Sequence, residues 1–224
     1  MARFLKDSDY NSVIDSTDLE EITNGVDQNL LDCETKAIAK LRTKMVQRYD
    51  CDYELREMAA YSAATHYRSG ERTISSDVIT YVKTFDEWDK DTEYTTGDIV
   101  TDEDGYVYTA AQNSKDEELS DNLDYWTPMK AIATNNATYW KTGDNRYPLL
   151  VEIIIDIALY LLHARINPRN IPELRKERNR EALDQLDAWA SGTDTAEIKT
   201  KDDAEQVGFS IRWGSSDTKQ NNFF

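Results

Sequence analysis

The residues best placed for chemistry are Asp156 and His163, a carboxylate and an imidazole seven positions apart in the apolar run LLVEIIIDIALYLLHARI. Such a pair serves general acid–base catalysis only within hydrogen-bond reach. Seven residues of helix span ~10 Å, so these two cannot exchange a proton directly. A buried Asp156 instead predicts an arginine partner from a neighbouring helix, such as Arg42 or Arg178. His66 has no second ligand at metal-binding spacing and reads as a surface histidine.

Other chemical motifs fail on spacing. DKDTE from Asp89 opens like a calcium loop, but Tyr94 and Val100 stand where the EF-hand needs Gly and Glu. GFSIR at Gly208 lacks the second glycine of a nucleophile elbow, and no Gly-rich phosphate loop is present. Cys33 and Cys51 form no CxxC pair; Cys33 falls within a helical pattern and reads as a buried free thiol, suited to a reducing compartment. A glycosidase pair is defined by separation across a cleft, and the many carboxylates read more simply as a solvated surface. The expectation is a protein that is not an enzyme and uses no metal and no cofactor.

The composition sets the frame for these side chains. Thirteen Tyr and five Trp argue against disorder in a chain of mean hydropathy −0.72. Four Pro and eight Gly are too few for an all-β sandwich of 224 residues. Net charge is −17, and fourteen Asp or Glu stand against three Lys between residues 86 and 130 alone. Tight phosphate binding needs clustered cations, so DNA is expected to pass such a surface without sticking. The N-terminal MARFLKDSDYN has no apolar run of signal-peptide type. The most apolar stretch, residues 149–162, is interrupted by Glu152 and Asp156 and falls short of the ~20 residues a membrane span needs.

Periodicity predicts helices on both flanks. DSDYNSVI and STDLEEIT read as two short helices with Ser, Asp or Thr caps. From Asp27 to Tyr49, Leu30, Ala37, Ile38, Leu41, Met45 and Tyr49 share one face, with Asp27 as the cap. YELREMAAYSAATHYRSG is expected to continue as a helix ending at Gly70. After Pro148 a helix buried on most sides runs to Ile166, stopped by Asn167-Pro168. A last helix opens at Pro172 and closes at Gly192, with Leu174, Leu183, Leu186 and Trp189 inward. Between the flanks, Ile99–Thr101, the DEDG turn and Tyr106–Tyr108 read as a β-hairpin. The tail beyond Gly192 reads as polar and extended, with a strand candidate at 207–213.

Two resemblances add to this reading. RYPLLVEIIIDIALYLLHARINPRNIPELRKERNREALDQLDAWASGT (146–193) resembles the head–tail connector, or head-completion, proteins of tailed bacteriophages. The N-terminal FLKDSDYNSVIDSTDLEEIT and the helix after it are similar to that family's opening segments. The resemblance covers 1–49 and 143–193, a little under half of the chain. It implies a mainly α fold: a small helical bundle of connector type, with an inserted small β-rich module and an extended C-terminal tail. Residues 1–70 and 133–192 would be the two parts of the helical domain, 71–132 the insert and 193–224 the arm. It also implies a self-associating ring at the portal vertex, commonly twelve-fold, that contacts the portal protein and other neck or tail proteins. Genomic DNA would pass through the ring without tight binding and no membrane would be involved. Such a subunit belongs to the virion, at the head–tail junction, after assembly in the host cytoplasm. The arm, with Trp213 and the terminal Phe223 and Phe224, would anchor in a neighbouring subunit or ring.

The insert resembles carbohydrate-binding modules of the chitinase and cellulase type. Trp88, Tyr94, Tyr108 and Trp126 fall at the positions that build such a module's core, together with Gly97-Asp98, Val100 and Gly105. In those modules other, exposed aromatics hold the sugar, and AAQNSKDEELSDN (110–122) has none. Tyr106 and Tyr125 are the spare candidates. Decoration, or contact with other virion proteins, is therefore the expected role of the insert. A virion-surface carbohydrate-binding protein, anchored by its helical domain, is the alternative.

Overall fold

The computed structural model describes residues 2–119 and 123–201. Its helices are a 3-10 turn at Asp7–Ser12, α1 (Ser16–Thr23), α2 (Asp27–Met45), α3 (Cys51–Glu54), α4 (Pro148–Ile166) and α5 (Glu173–Ser191). Helix α4 is the central one, packed against both α2 and α5. Nine of its residues are buried, from Leu150 to Leu162, which is why its apolar pattern runs almost all the way round. Pro148 starts it where a missing N–H costs nothing, and Asn167 leaves helical geometry just before Pro168. Helix α2 presents Leu30, Cys33, Ala37, Leu41 and Met45 to this core, and α5 adds Ala182, Leu186 and Trp189. Leu174 is not inward: at the first turn of α5 it is 58% exposed.

The expectation of a mainly α chain is overturned. The structure is 38% helix and 17% strand, with three small antiparallel sheets. One sheet has the order β1-β2-β8, from Arg72–Ser75, Val78–Val82 and Trp140–Thr142. Another has the order β4-β5-β7, from Ile99–Thr101, Val107–Ala110 and Trp126–Pro128; β3 (Glu93–Tyr94) pairs with β6 (Ser114–Lys115). The helix expected to end at Gly70 stops at Glu54, and the chain after it is drawn into β structure. Met58 exchanges backbone bonds with Arg3, and the Ala59 carbonyl accepts from Ile74 N–H. Tyr67 is buried against Trp140, with ring centroids 5.0 Å apart. Burying aromatics of this size is worth ~1.5–3 kcal/mol each, more than the tenths per residue that the alanines offer a helix. Strand β8 also lies beyond residue 132, where the insert was expected to end.

The two larger sheets are built on one plan, the second nested inside the first. The outer unit carries Tyr67-x-x-Gly70-Glu71 and the inner unit Tyr94-x-x-Gly97-Asp98. Each tyrosine hydroxyl accepts from the backbone N–H five residues upstream, Ser62 at 2.6 Å and Asp89 at 2.7 Å. Each acid accepts from the N–H three residues before it, Arg68 and Thr95. Gly70 N–H bonds to Val82 O, and Gly97 N–H bonds to Ala110 O; both glycines have positive φ. Val82 stands opposite Trp140, and Ala110 opposite Trp126. Trp140 meets Tyr67 edge-on at 73°, as Trp126 meets Tyr94 at 75°. Each indole N–H donates back to a carbonyl eight or nine residues earlier, Ile132 and Glu117.

Candidate functional site

The four expected core aromatics of the inner unit come together. Tyr94 and Trp126 are buried with Val100, Ala110 and Leu119, and Trp88, Tyr108 and Tyr125 pack against them. Period-two alternation explains the split: Val100, Tyr108, Ala110 and Trp126 face this cluster. From the other face of the same sheet, Val107 and Met129 join a second cluster with Tyr67, Val82 and Trp140. The Trp88 indole nitrogen is buried and has no hydrogen-bond partner among the described residues.

Tyr106 is half-buried and engaged on its ring and on its hydroxyl. The Arg68 guanidinium lies 4.4 Å from the ring centroid, and its Nη2 donates to the hydroxyl at 2.8 Å. His66 stacks on the same ring at 4.8 Å and meets Tyr108 edge-on at 4.9 Å. His66 Nε2 lies 2.8 Å from the Val107 carbonyl, which can only accept, so that nitrogen carries a proton. His66 is therefore a half-buried clamp rather than the surface histidine expected. Tyr125 sits next to Trp126, its carbonyl accepting from Ala111 N–H, five residues along the strand from Tyr106. At ~3.3 Å per residue that is ~16 Å, too far for the two rings to form one platform.

The surface of the inner unit is acidic instead. Eleven of its thirteen described carboxylate residues between 86 and 130 are exposed, among them Asp91, Glu103, Asp104 and Glu118. Glu93 and Lys115 form an exposed ion pair.

In the helical body, Asp156 and His163 do not meet. Arg178 and Arg175 of α5 approach Asp156 at 3.6 and 4.0 Å, while Arg42 pairs with Asp52. Burial pushes the Asp156 carboxyl up, against the pull of Arg178. His163 Nδ1 is 2.9 Å from the Leu159 carbonyl of its own helix. Two buried constellations were not visible in the sequence. Arg146 donates to Phe4 O and Asp9 and pairs with Asp144, with a side chain only 1% exposed. Glu34 accepts from Tyr10 Oη at 2.8 Å and pairs with Arg3. These arginines bind the N-terminal segment to the rest of the body, and only three-dimensional proximity reveals their partners. Cys33 and Cys51 are buried free thiols.

Among the described residues no cluster of His, Cys, Asp and Glu could hold a metal ion, and no helix is long and apolar enough to cross a membrane. Residues 193–201 lie along the body: Thr200 bridges to Tyr49, and Tyr49 Oη accepts from Ala196 N–H. Trp213, Phe223, Phe224 and the strand candidate at 207–213 lie outside the described residues. Comparison with protein-family models, with curated proteins and with solved structures finds no match.

Proposed function

We propose that this chain is a structural subunit of a tailed-phage neck. It would form a ring at the portal vertex, connect head to tail and extend the DNA channel. One observation carries the reading: the two blocks that resemble connector proteins, 1–49 and 143–193, are far apart in sequence but close on each other. Helix α4 of the second block packs along α2 of the first, and both β units loop out between them. Arg146 of the second block is clamped to Phe4 and Asp9 of the first. The acidic balance agrees with a channel that DNA crosses without being held. The portal protein and adjoining neck proteins are the partners this implies, with twelve copies the commonest ring in such assemblies.

Electron microscopy of the purified chain mixed with portal particles tests the reading. Closed rings seated on portals are expected; monomers that leave portals bare would refute it. The carbohydrate-binding alternative needs an aromatic face open to solvent, and Tyr106 is engaged by His66 and Arg68. Glycan-array binding by the full chain that Tyr106→Ala abolishes would transfer the reading to that alternative.

A further inference from the structure

Charge is segregated in the helical body as well as in the inner unit. Residues 7–34 hold nine Asp or Glu and no Lys or Arg, whereas residues 163–180 hold six Lys or Arg and two Glu. The acidic stretch borders an open groove of about 1010 Å³. Leu19, Leu30 and Leu31 line it, with the exposed carboxylates of Glu20, Asp27 and Asp77 around them.

The basic stretch is the corner between α4 and α5. It carries the exposed apolar side chains Ile166 and Leu174, at 50% and 58%. Arg169 and Lys176 are exposed beside them; Lys176 pairs with Glu173 at 2.9 Å, and Arg169 has no ion-pair partner among the described residues. An apolar tip among cations thus faces a mostly polar groove in which four carboxylates, Asp7, Glu20, Asp27 and Asp77, outnumber two cations, Arg3 and Lys6. The corner and the groove use different residues. Arg165 pairs with Asp32 and Arg175 donates to Val13 O, so the corner is held at the end of the bundle where α1 and the start of α2 lie.

We infer that the α4–α5 corner of one copy docks into the acid-rimmed groove of a second copy. Corner and groove are different surfaces, so a contact that is not reciprocated within one pair repeats from copy to copy and closes a ring when the rotation between copies allows it. Opposite charge sets the register and speeds encounter, and the apolar tip supplies the buried centre. This interface rests on the reading of the chain as a ring subunit, and it names the surfaces that such a ring would use.

Paired charge reversals test it. Arg169→Glu/Lys176→Glu alters the corner and Glu20→Lys/Asp27→Lys alters the groove, all at exposed positions; circular dichroism verifies folding. Sedimentation velocity is expected to show assembly of the wild type that weakens with salt, as screening requires. Each variant alone should associate about tenfold or more weakly. An equimolar mixture of the two should assemble again, because every contact in an alternating ring then joins opposite charges. Variants that assemble like the wild type, or a mixture that stays dissociated, overturn the interface. So does a corner variant that loses retention of duplex DNA while assembling normally, which would make the corner a phosphate-binding surface. Wild-type rings on portals that neither reversal disturbs leave the connector reading standing and remove only this interface. A wild-type chain that forms no assembly, alone or on portals, removes both.

Discussion

Gly70 and Gly97 occupy the same place in the two nested units, yet their substitution by alanine should differ sharply. Both have positive φ, +72° and +97°, so any side chain costs ~1–2 kcal/mol in backbone strain. A Cβ at Gly97 would meet no atom of the described residues within 4 Å. A Cβ at Gly70 would lie 1.9 Å from Tyr53 Oη and 2.8 Å from Tyr53 Cζ. Displacing that ring, which sits against Arg56 and Lys199, adds ~1–3 kcal/mol of overpacking. Gly97→Ala should therefore cost ~1–2 kcal/mol and Gly70→Ala ~2–5 kcal/mol, read from urea unfolding at unchanged slope. Tyr53→Phe removes the closest clashing atom, so Gly70→Ala/Tyr53→Phe should recover roughly 1 kcal/mol of the Gly70→Ala loss. Equal costs at the two glycines, or no recovery in the double variant, would refute the claim that Gly70 lets the outer unit approach α3 closely.

Three further outcomes are expected. Arg146→Met leaves Asp9 and Asp144 without their buried cation and should cost ~3–5 kcal/mol; adding Asp9→Asn should cost much less than the sum, and strict additivity of the urea midpoints would contradict the clamp. Tyr67→Phe and Tyr94→Phe each strip one acceptor from a backbone N–H and should cost ~0.5–1.5 kcal/mol, alike to within a few tenths; a cost at one site alone would break the equivalence of the units. Burial holds the Glu34 carboxyl above its usual value despite Arg3 and Tyr10, so its contribution to stability is greatest below the unfolded value and is lost as pH rises through the folded one. The stability of the wild type relative to Glu34→Gln should therefore grow as pH falls from neutrality towards the unfolded carboxylate value, and a shrinking difference in urea titrations would reverse that assignment.

The helical body was legible because its signals are local. The apolar wrap of α4 lies between Pro148 and Pro168, and Leu186 and Trp189 recur at helical spacing on α5. The inner hairpin was legible for the same reason, since Asp102–Gly105 separates two short β-branched and aromatic runs. The outer unit was not. Its third strand lies 58 residues beyond Val82, and the inner unit fills the gap, so no local window contains the pairing. The alanines between Met58 and Thr65 suggested a helix, and the competing signal was a repeat. Tyr-x-x-Gly followed by an acid occurs at Tyr67 and again at Tyr94, and a Tyr-Trp pair occurs at Tyr125 and again at Tyr139. Those spacings are visible in the chain, whereas the partners of Arg146 and Glu34 are set by packing alone.

The nesting also explains why the inner unit does not present the Tyr106 ring free to solvent. Its two ends are stitched to its own sheet, through Thr101 N–H to Asp86 O and Met129 N–H to Val107 O, so it adds to the outer unit without breaking it. The residues that engage Tyr106 are His66 and Arg68, which flank the outer unit's Tyr67. The outer unit thus occupies the aromatic that the inner hairpin would otherwise present. Stacking on a sugar ring would require breaking the Arg68–Tyr106 hydrogen bond and the imidazole stack together. What the inner unit offers to solvent is largely carboxylate, with eleven exposed acidic residues between 86 and 130. Carboxylates in that number favour cationic groups over phosphates and repel duplex DNA.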